Sequence, residues 1–175
     1  MRKPVIINFF GGPGAGKSTL ATAVFAWMKT LGLNCEYVPE YAKELSYAGD
    51  MKTVSNQFFV SAMQHQRVYN IYDKVDYIVT DSPLISGIVY DEKGLYNLPP
   101  LLAEIFHGWE NVNFMIRRES GDQYTTAGRH HSETEARMLD VKIEQMLIAY
   151  YVDYVVINTG SLEMIKEILQ EKLKL

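Results

Sequence analysis

Cysteine is nearly absent from this 175-residue chain: Cys35 stands alone. No internal disulfide can form. That excludes a disulfide-stapled secreted scaffold and points to a reducing, cytoplasmic setting. Set in an expected strand, Cys35 reads as core filler. Long apolar runs are missing too. The first, Val5–Phe10, meets glycine too soon for the apolar region of a signal peptide. No stretch is long enough to span a bilayer, so a soluble protein without a membrane partner is expected. Nor is there an excess of positive charge. Lys+Arg number 17 against Asp+Glu 21, a net charge of −4. The footprint of a dedicated nucleic-acid-binding surface is lacking, and only a local basic patch has room. Repeats, low-complexity tracts and linker-like shifts in composition are absent as well, and residues 1–175 read as one domain with one sizeable core.

What is present is concentrated near the start. Gly11-Gly12-Pro13-Gly14-Ala15-Gly16-Lys17-Ser18-Thr19 fits the phosphate-loop pattern G-x-x-x-x-G-K-[ST]. Val5–Phe10 before it reads as a buried strand, and Leu20–Leu31 after it as a helix. Strand, glycine loop, helix is the arrangement that phosphate binding requires. Glycines let the backbone curl and turn its N–H groups inward, and the helix N-terminus adds partial positive charge. Residues Gly12 to Thr19 are thus candidate nucleotide ligands. Lys17 can reach the β- and γ-phosphates, Ser18 can ligate Mg²⁺, and an unliganded Lys17 is expected to face solvent.

The rest of the chain alternates strands and helices. Further strands are expected at Cys35–Val38, Tyr77–Thr80, Val112–Ile116 and Val155–Ile157. Helices are expected at Tyr41–Tyr47, Leu101–His107, from Glu133 to about Tyr151, and at Leu162–Leu173 with Ser161 as N-cap. One long helix is expected from Thr53 to Asp73, its core stripe running through Val54, Phe58, Ala62, His65, Tyr69 and Tyr72. Five short apolar strands separated by helices imply an α/β fold with a parallel sheet covered on both faces. Ligands in such sheets gather at the carboxyl ends of the strands.

Those ends are chemically loaded. Glu40 follows the second strand, Asp81-Ser82-Pro83 the third, Arg117-Arg118 the fourth, and Asn158-Thr159-Gly160-Ser161 the fifth. Asp81 is placed to organise Mg²⁺ together with Ser18, the alternative being a helix cap. Glu40 suits a general base or acceptor ligand. Asn158 and Gly160 are assigned to the nucleotide. The polar stretch from about 119 to 132, with Gly128-Arg129-His130-His131, reads as a lid. Arg129 is its first candidate for neutralising transition-state charge, with Arg117, Arg118 and Arg137 behind it. Gln57 and Gln64, seven apart, share a helix face. With Glu40 and Arg67 they are assigned to the acceptor, with Phe58 or Phe59 available to stack; a solvated face is the competing reading.

These residues resemble those of P-loop nucleoside and nucleotide kinases. The likeness to the thymidylate-kinase and deoxynucleoside-kinase group covers most of the chain in organisation. It is residue-specific at Gly11–Thr19, Glu40, Asp81-Ser82-Pro83 and the lid. A closer resemblance is to small phage and bacterial ATPase-like kinases, including nicotinamide riboside kinase domains. It rests on Gly11–Gly14, the Pro39–Ala42 run, Gly128-Arg129, and Glu133–Ala136. The resemblance implies a three-layer P-loop kinase fold with sheet order 2-3-1-4-5, ATP-Mg²⁺ as donor, and a small nucleoside or nucleotide acceptor. Some phage members phosphorylate 5-hydroxymethyluracil in DNA during base hypermodification, so DNA is the alternative acceptor. A nucleotide-dependent ATPase or switch is the second alternative, against which Glu40 and the lid argue. A homodimer stays open. The deoxynucleoside-kinase group carries an arginine after its third-strand acid; Ser82 stands there in this chain, so that group's substrate is not carried over.

Overall fold

The structure, a computed structural model, describes residues 3–118 and 132–174. Its first strand, β1 (Val5–Phe10), leads through the glycine loop into α1 (Lys17–Thr30). Then come β2 (Cys35–Val38), α2 (Tyr41–Tyr47), α3 (Met51–Val54), α4 (Gln57–Tyr69) and β3 (Tyr77–Thr80). A 3-10 turn over Leu84–Ser86 precedes α5 (Gly87–Tyr90), α6 (Leu98–His107) and β4 (Glu110–Arg117). The chain ends with α7 (Glu133–Ala149), β5 (Val155–Asn158) and α8 (Leu162–Leu173). The five strands form one parallel sheet in the order β2-β3-β1-β4-β5, the order that the family resemblance implied.

β1 is buried at all six positions because both of its faces are covered. Val5, Ile7 and Phe9 turn toward α1 and α8, packing with Leu20, Ala21, Val24, Met28, Ile165 and Leu169. Ile6 and Phe10 turn the other way. Ile6 meets Val68 of α4, and Phe10 meets Phe106 of α6 and Ile143 of α7. A strand buried on both faces needs apolar side chains at every position rather than alternate ones. Asn8 is the exception, and it is fully paired: its amide donates to Asn111 and Asn113 Oδ1 on the neighbouring strand, each at 2.9 Å. Cys35 is a buried free thiol in the core, as expected.

The long helix expected at Thr53–Asp73 is two helices. Asp50 caps α3 by accepting from the Thr53 amide, and Asn56 caps α4 by accepting from the Phe59 amide. Two Asx caps so close together supply side-chain partners that a continuous helix would not use, and the chain restarts at Gln57. The buried stripe of α4 is also rotated from the expected one. Gln57, Val60, Ser61, Gln64 and Val68 face inward, while Phe58 is 58% exposed and Tyr69 65%. Three of these five are polar, and Gln57, Ser61 and Gln64 line a cleft.

Two helix starts differ as well. α6 begins at Leu98 and includes Pro99 and Pro100, since a first-turn proline lacks only an N–H that the helix does not use. Ser161 does not cap α8 with its side chain; its hydroxyl accepts from the Asn158 amide at 2.9 Å. α7 opens with a complete capping box between Ser132 and Glu135. Residues 119–131 of the expected lid, with Gly128, Arg129, His130 and His131, lie outside the described residues. Among the described residues no helix is long and apolar enough to cross a membrane.

Candidate active site

The loop between β1 and α1 curls on three glycines with positive φ, at 147° for Gly11, 80° for Gly14 and 85° for Gly16. Side chains rarely adopt these conformations, which explains glycine at those positions. Gly12 is glycine for a different reason. A Cβ there would lie 2.5 Å from the Ala136 carbonyl oxygen and 2.8 Å from Asp140 Oδ1, so α7 sits directly on the loop. The Gly12 amide donates to Asp140 Oδ1. Arg118 bridges the same carboxylate and the loop, with Nε 2.6 Å from Asp140 Oδ2 and Nη2 2.7 Å from the Pro13 carbonyl oxygen. The Arg118 side chain is only 6% exposed.

Lys17 does not face solvent. It is half-buried and folds back so that Nζ donates to the Gly12 carbonyl at 3.0 Å. Burial pushes its ammonium below the ordinary lysine range, while Glu40, Asp81 and Asp140 oppose that shift. The segment after β5 closes the other side of the loop: Thr159 Cγ2 stands 3.3 Å from where a Gly16 Cβ would be, with Asn158 and Gly160 flanking it.

Asp81 ends β3 beside α1. It is 2% exposed, and its Oδ2 accepts from the Ser18 hydroxyl. Its Oδ1 is buried without a hydrogen-bond partner among the described residues. Asp81 caps no helix, because the turn starting at Leu84 has no side-chain cap. A buried carboxylate oxygen with no donor, next to a hydroxyl, is a pair of hard oxygen ligands suited to Mg²⁺. The nearby Tyr37 phenol is held protonated by burial, by the charge of Asp81 and a hydrogen bond to that carboxylate, and by the charge of Glu40.

Glu40 stands at the start of α2, and the residues assigned with it divide into two groups. Gln64 and Arg67 hold the backbone around it. Gln64 Oε1 accepts from the Tyr41 amide at 3.0 Å, and its Nε2 donates to the Pro39 carbonyl at 3.3 Å. Arg67 donates to the same carbonyl at 3.3 Å, pairs with Glu44 and lies 4.9 Å over the Tyr41 ring. Gln57 is different: it donates to the Val54 carbonyl at 2.9 Å and lines the cleft.

That cleft is a cavity of about 420 Å³. Its lining includes Gly14, Gly16, Lys17 and Ser18 of the loop, Glu40 at the start of α2, Gln57, Ser61 and Gln64 of α4, and Tyr47, Pro83 and Tyr90. Arg67, Phe58 and Phe59 do not line it; the aromatic walls are Tyr47 and Tyr90. Burial, together with Glu40 and Asp140, keeps the Tyr90 phenol protonated well above its ordinary range. Arg117 and Arg137 are surface residues paired with Glu144 and Glu133. Sequence reasoning missed Asp140, Tyr90 and the loop-holding role of Arg118. Only the Arg118 position after a strand was a signal.

The family model described as an AAA domain matches residues 6–164. The chain belongs to that family. No curated protein matches it in sequence. Solved structures match this AAA-domain chain over nearly all its length. They include thymidylate kinase from Ehrlichia chaffeensis (16% identity, TM-score 0.61, 97% of this chain and 100% of that one). Deoxyadenosine kinase from M. mycoides with bound dATP is similar at 16% identity and TM-score 0.54, over 97% and 100% of the two chains. Shikimate kinase from Bacteroides thetaiotaomicron follows at 16% identity and TM-score 0.52, over 98% and 99%. The AAA-domain chain therefore has the P-loop kinase fold.

Proposed function

We propose that this protein is an ATP-dependent kinase of the cytoplasm that transfers the γ-phosphate of ATP to a hydroxyl of a small nucleoside- or nucleotide-type acceptor. The observation that carries the reading is that the glycine loop, Glu40 and Gln57 all line one cavity. Donor phosphate and acceptor hydroxyl can meet there without crossing solvent. Kinases with the same fold, one solved with bound dATP, support it.

The roles follow from position. Gly12 to Thr19 hold the phosphates, with Asn158 and Gly160 beside the loop on the nucleotide side. Lys17 shifts from the Gly12 carbonyl to the β- and γ-oxygens. Asp81 and Ser18 are the residues that would hold Mg²⁺. Bound there, the ion would supply charge neutralisation to the phosphate oxygens. Glu40 accepts the hydroxyl proton as the acceptor oxygen bonds to the γ-phosphorus and the bond to the bridging oxygen of ADP breaks. Gln57 reads the acceptor, and Gln64 and Arg67 keep Glu40 in place. Arg129 is assigned to the charge developing in transfer.

The test is a transfer screen with γ-labelled ATP across a salt series. Its acceptors are nucleosides, nucleoside monophosphates, nicotinamide riboside, and DNA with or without 5-hydroxymethyluracil. Salt-insensitive labelling of a free nucleoside or monophosphate is expected, lost in Glu40→Gln while ATP affinity holds. Labelling of DNA alone, with steep salt dependence, would select the DNA kinase. Release of phosphate to water with no labelled acceptor would select the ATPase.

A further inference from the structure

Asp140 has no place in the transfer chemistry above, yet it grips the phosphate loop. Its carboxylate receives the Gly12 amide on one oxygen and Arg118 Nε on the other, and Arg118 continues to the Pro13 carbonyl. Gly12 and Asp140 are 128 residues apart in sequence. Both backbone groups of Gly12 are thus held, its N–H by Asp140 and its carbonyl by Lys17 and by the Ala15 amide. The fit is close enough that no side chain could be added at Gly12. A carboxylate this near a phosphate site would repel the ligand if unpaired. The buried guanidinium of Arg118 offsets that charge and ties it to the loop.

We infer that Asp140 and Arg118 are positioning residues for nucleotide binding: a paired clamp from α7 and the end of β4 that holds the first turn of the phosphate loop in its phosphate-accepting curl. This rests on the kinase reading only in taking ATP as the ligand. The clamp acts on the loop that receives phosphates and on neither Glu40 nor Gln57. It should govern nucleotide affinity and leave acceptor affinity alone.

Two variants separate positioning from plain stability. Asp140→Ala alone leaves Arg118 buried without its partner and is expected to destabilise the fold. The double variant Asp140→Ala/Arg118→Ala removes both charges, so its melting temperature should recover toward wild type. If the pair only stabilises, nucleotide binding recovers with it. If the pair positions the loop, the affinity for a fluorescent ATP analogue stays at least about tenfold weaker in the folded double variant. Asp140→Asn, which keeps an oxygen for the Gly12 amide, should restore part of that loss. Arg117→Ala, on the surface nearby, is the control and should bind normally. Normal ATP affinity in the double variant would overturn the inference. So would failure of the double variant to fold, which would make the pair a core element instead. Because the readout is nucleotide binding, it stands even if no acceptor is found. An absence of all ATP binding in the wild type would overturn the kinase reading itself.

Discussion

Lys17 carries the most exposed expectation at the scale of single residues. Its Nζ rests on the Gly12 carbonyl, and the proposed function has it move to the phosphates when nucleotide binds. Lys17→Met should lower transfer by at least about a hundredfold, since it removes a charge that acts on the transition state. The same variant tests the burial of the ammonium. A lysine whose folded pKa lies below its unfolded value of 10.5 binds fewer protons folded than unfolded between those two values. Its contribution to stability therefore rises with pH through that window, and below it the buried charge is a full cost. Lys17→Met should be more stable than wild type at neutral pH without ligand, with the difference shrinking toward pH 10. Urea unfolding across that range measures it, and a difference that grows with pH would contradict it. Asp81→Asn keeps the shape of its side chain but not the charge. It should reduce Mg²⁺-dependent turnover far more than metal-free nucleotide binding, read by titrating Mg²⁺ in both assays. Unchanged Mg²⁺ dependence would remove Asp81 from the metal site.

At the scale of elements, α4 lines the cavity through Gln57, Val60, Ser61 and Gln64, the wall proposed to meet the acceptor. The caps at Asp50 and Asn56 break the chain before it and fix its rotation, which turns Gln57, Ser61 and Gln64 inward. Gln64 then spends both ends of its amide on the backbone that flanks Glu40. Gln64→Leu should behave like a weakened Glu40→Gln. Transfer should fall about tenfold to a hundredfold, because a displacement of about 1 Å at a reacting group has that effect, while ATP affinity holds. Gln57→Leu should instead change which acceptor is used, by about 1–3 kcal/mol, because a buried polar edge of the substrate loses its partner. Competition between acceptors in one assay distinguishes the two outcomes. Identical selectivity in Gln57→Leu and wild type would take Gln57 out of the acceptor site.

For the whole molecule, the sheet gathers the residues that follow its strands, while α4 and α7 bring Gln57, Gln64 and Asp140 to the same cleft region from outside it. The phosphate loop, Glu40, Asp81 and Arg118 all follow carboxyl ends of strands and so come to one edge. A ligand held by several elements at once stabilises the folded state as a unit. ATP at about 100 times its Kd should add about 2.7 kcal/mol. That corresponds to a rise in melting temperature of roughly 5–11 °C for a domain of this size. Differential scanning fluorimetry with and without ATP reads it, and the rise should shrink in Lys17→Met. An equal rise in that variant would place the nucleotide somewhere other than the loop.

The parts of this protein legible in its sequence are those encoded by neighbours along the chain. The glycine loop is one contiguous run, and each strand is a short apolar block. Asp81 could be placed because it ends such a block beside the strand that leads into the loop. Residue type and short spacing were enough, since conformational freedom at glycine and burial of both sheet faces act locally. The tertiary structure decided what depends on how elements meet. A helical period does not say which face of α4 is inward when caps restart the helix, so Phe58 and Tyr69 were expected inside and are exposed. That Gln64 and Arg67 bond to the Pro39–Tyr41 backbone, more than a score of residues away, is visible only once the fold brings those segments together. The hold of Asp140 on Gly12 is a pairing between distant elements, made by packing α7 onto the loop. No local pattern marks it, because a lone aspartate in a helix looks the same whether it meets water or a backbone amide.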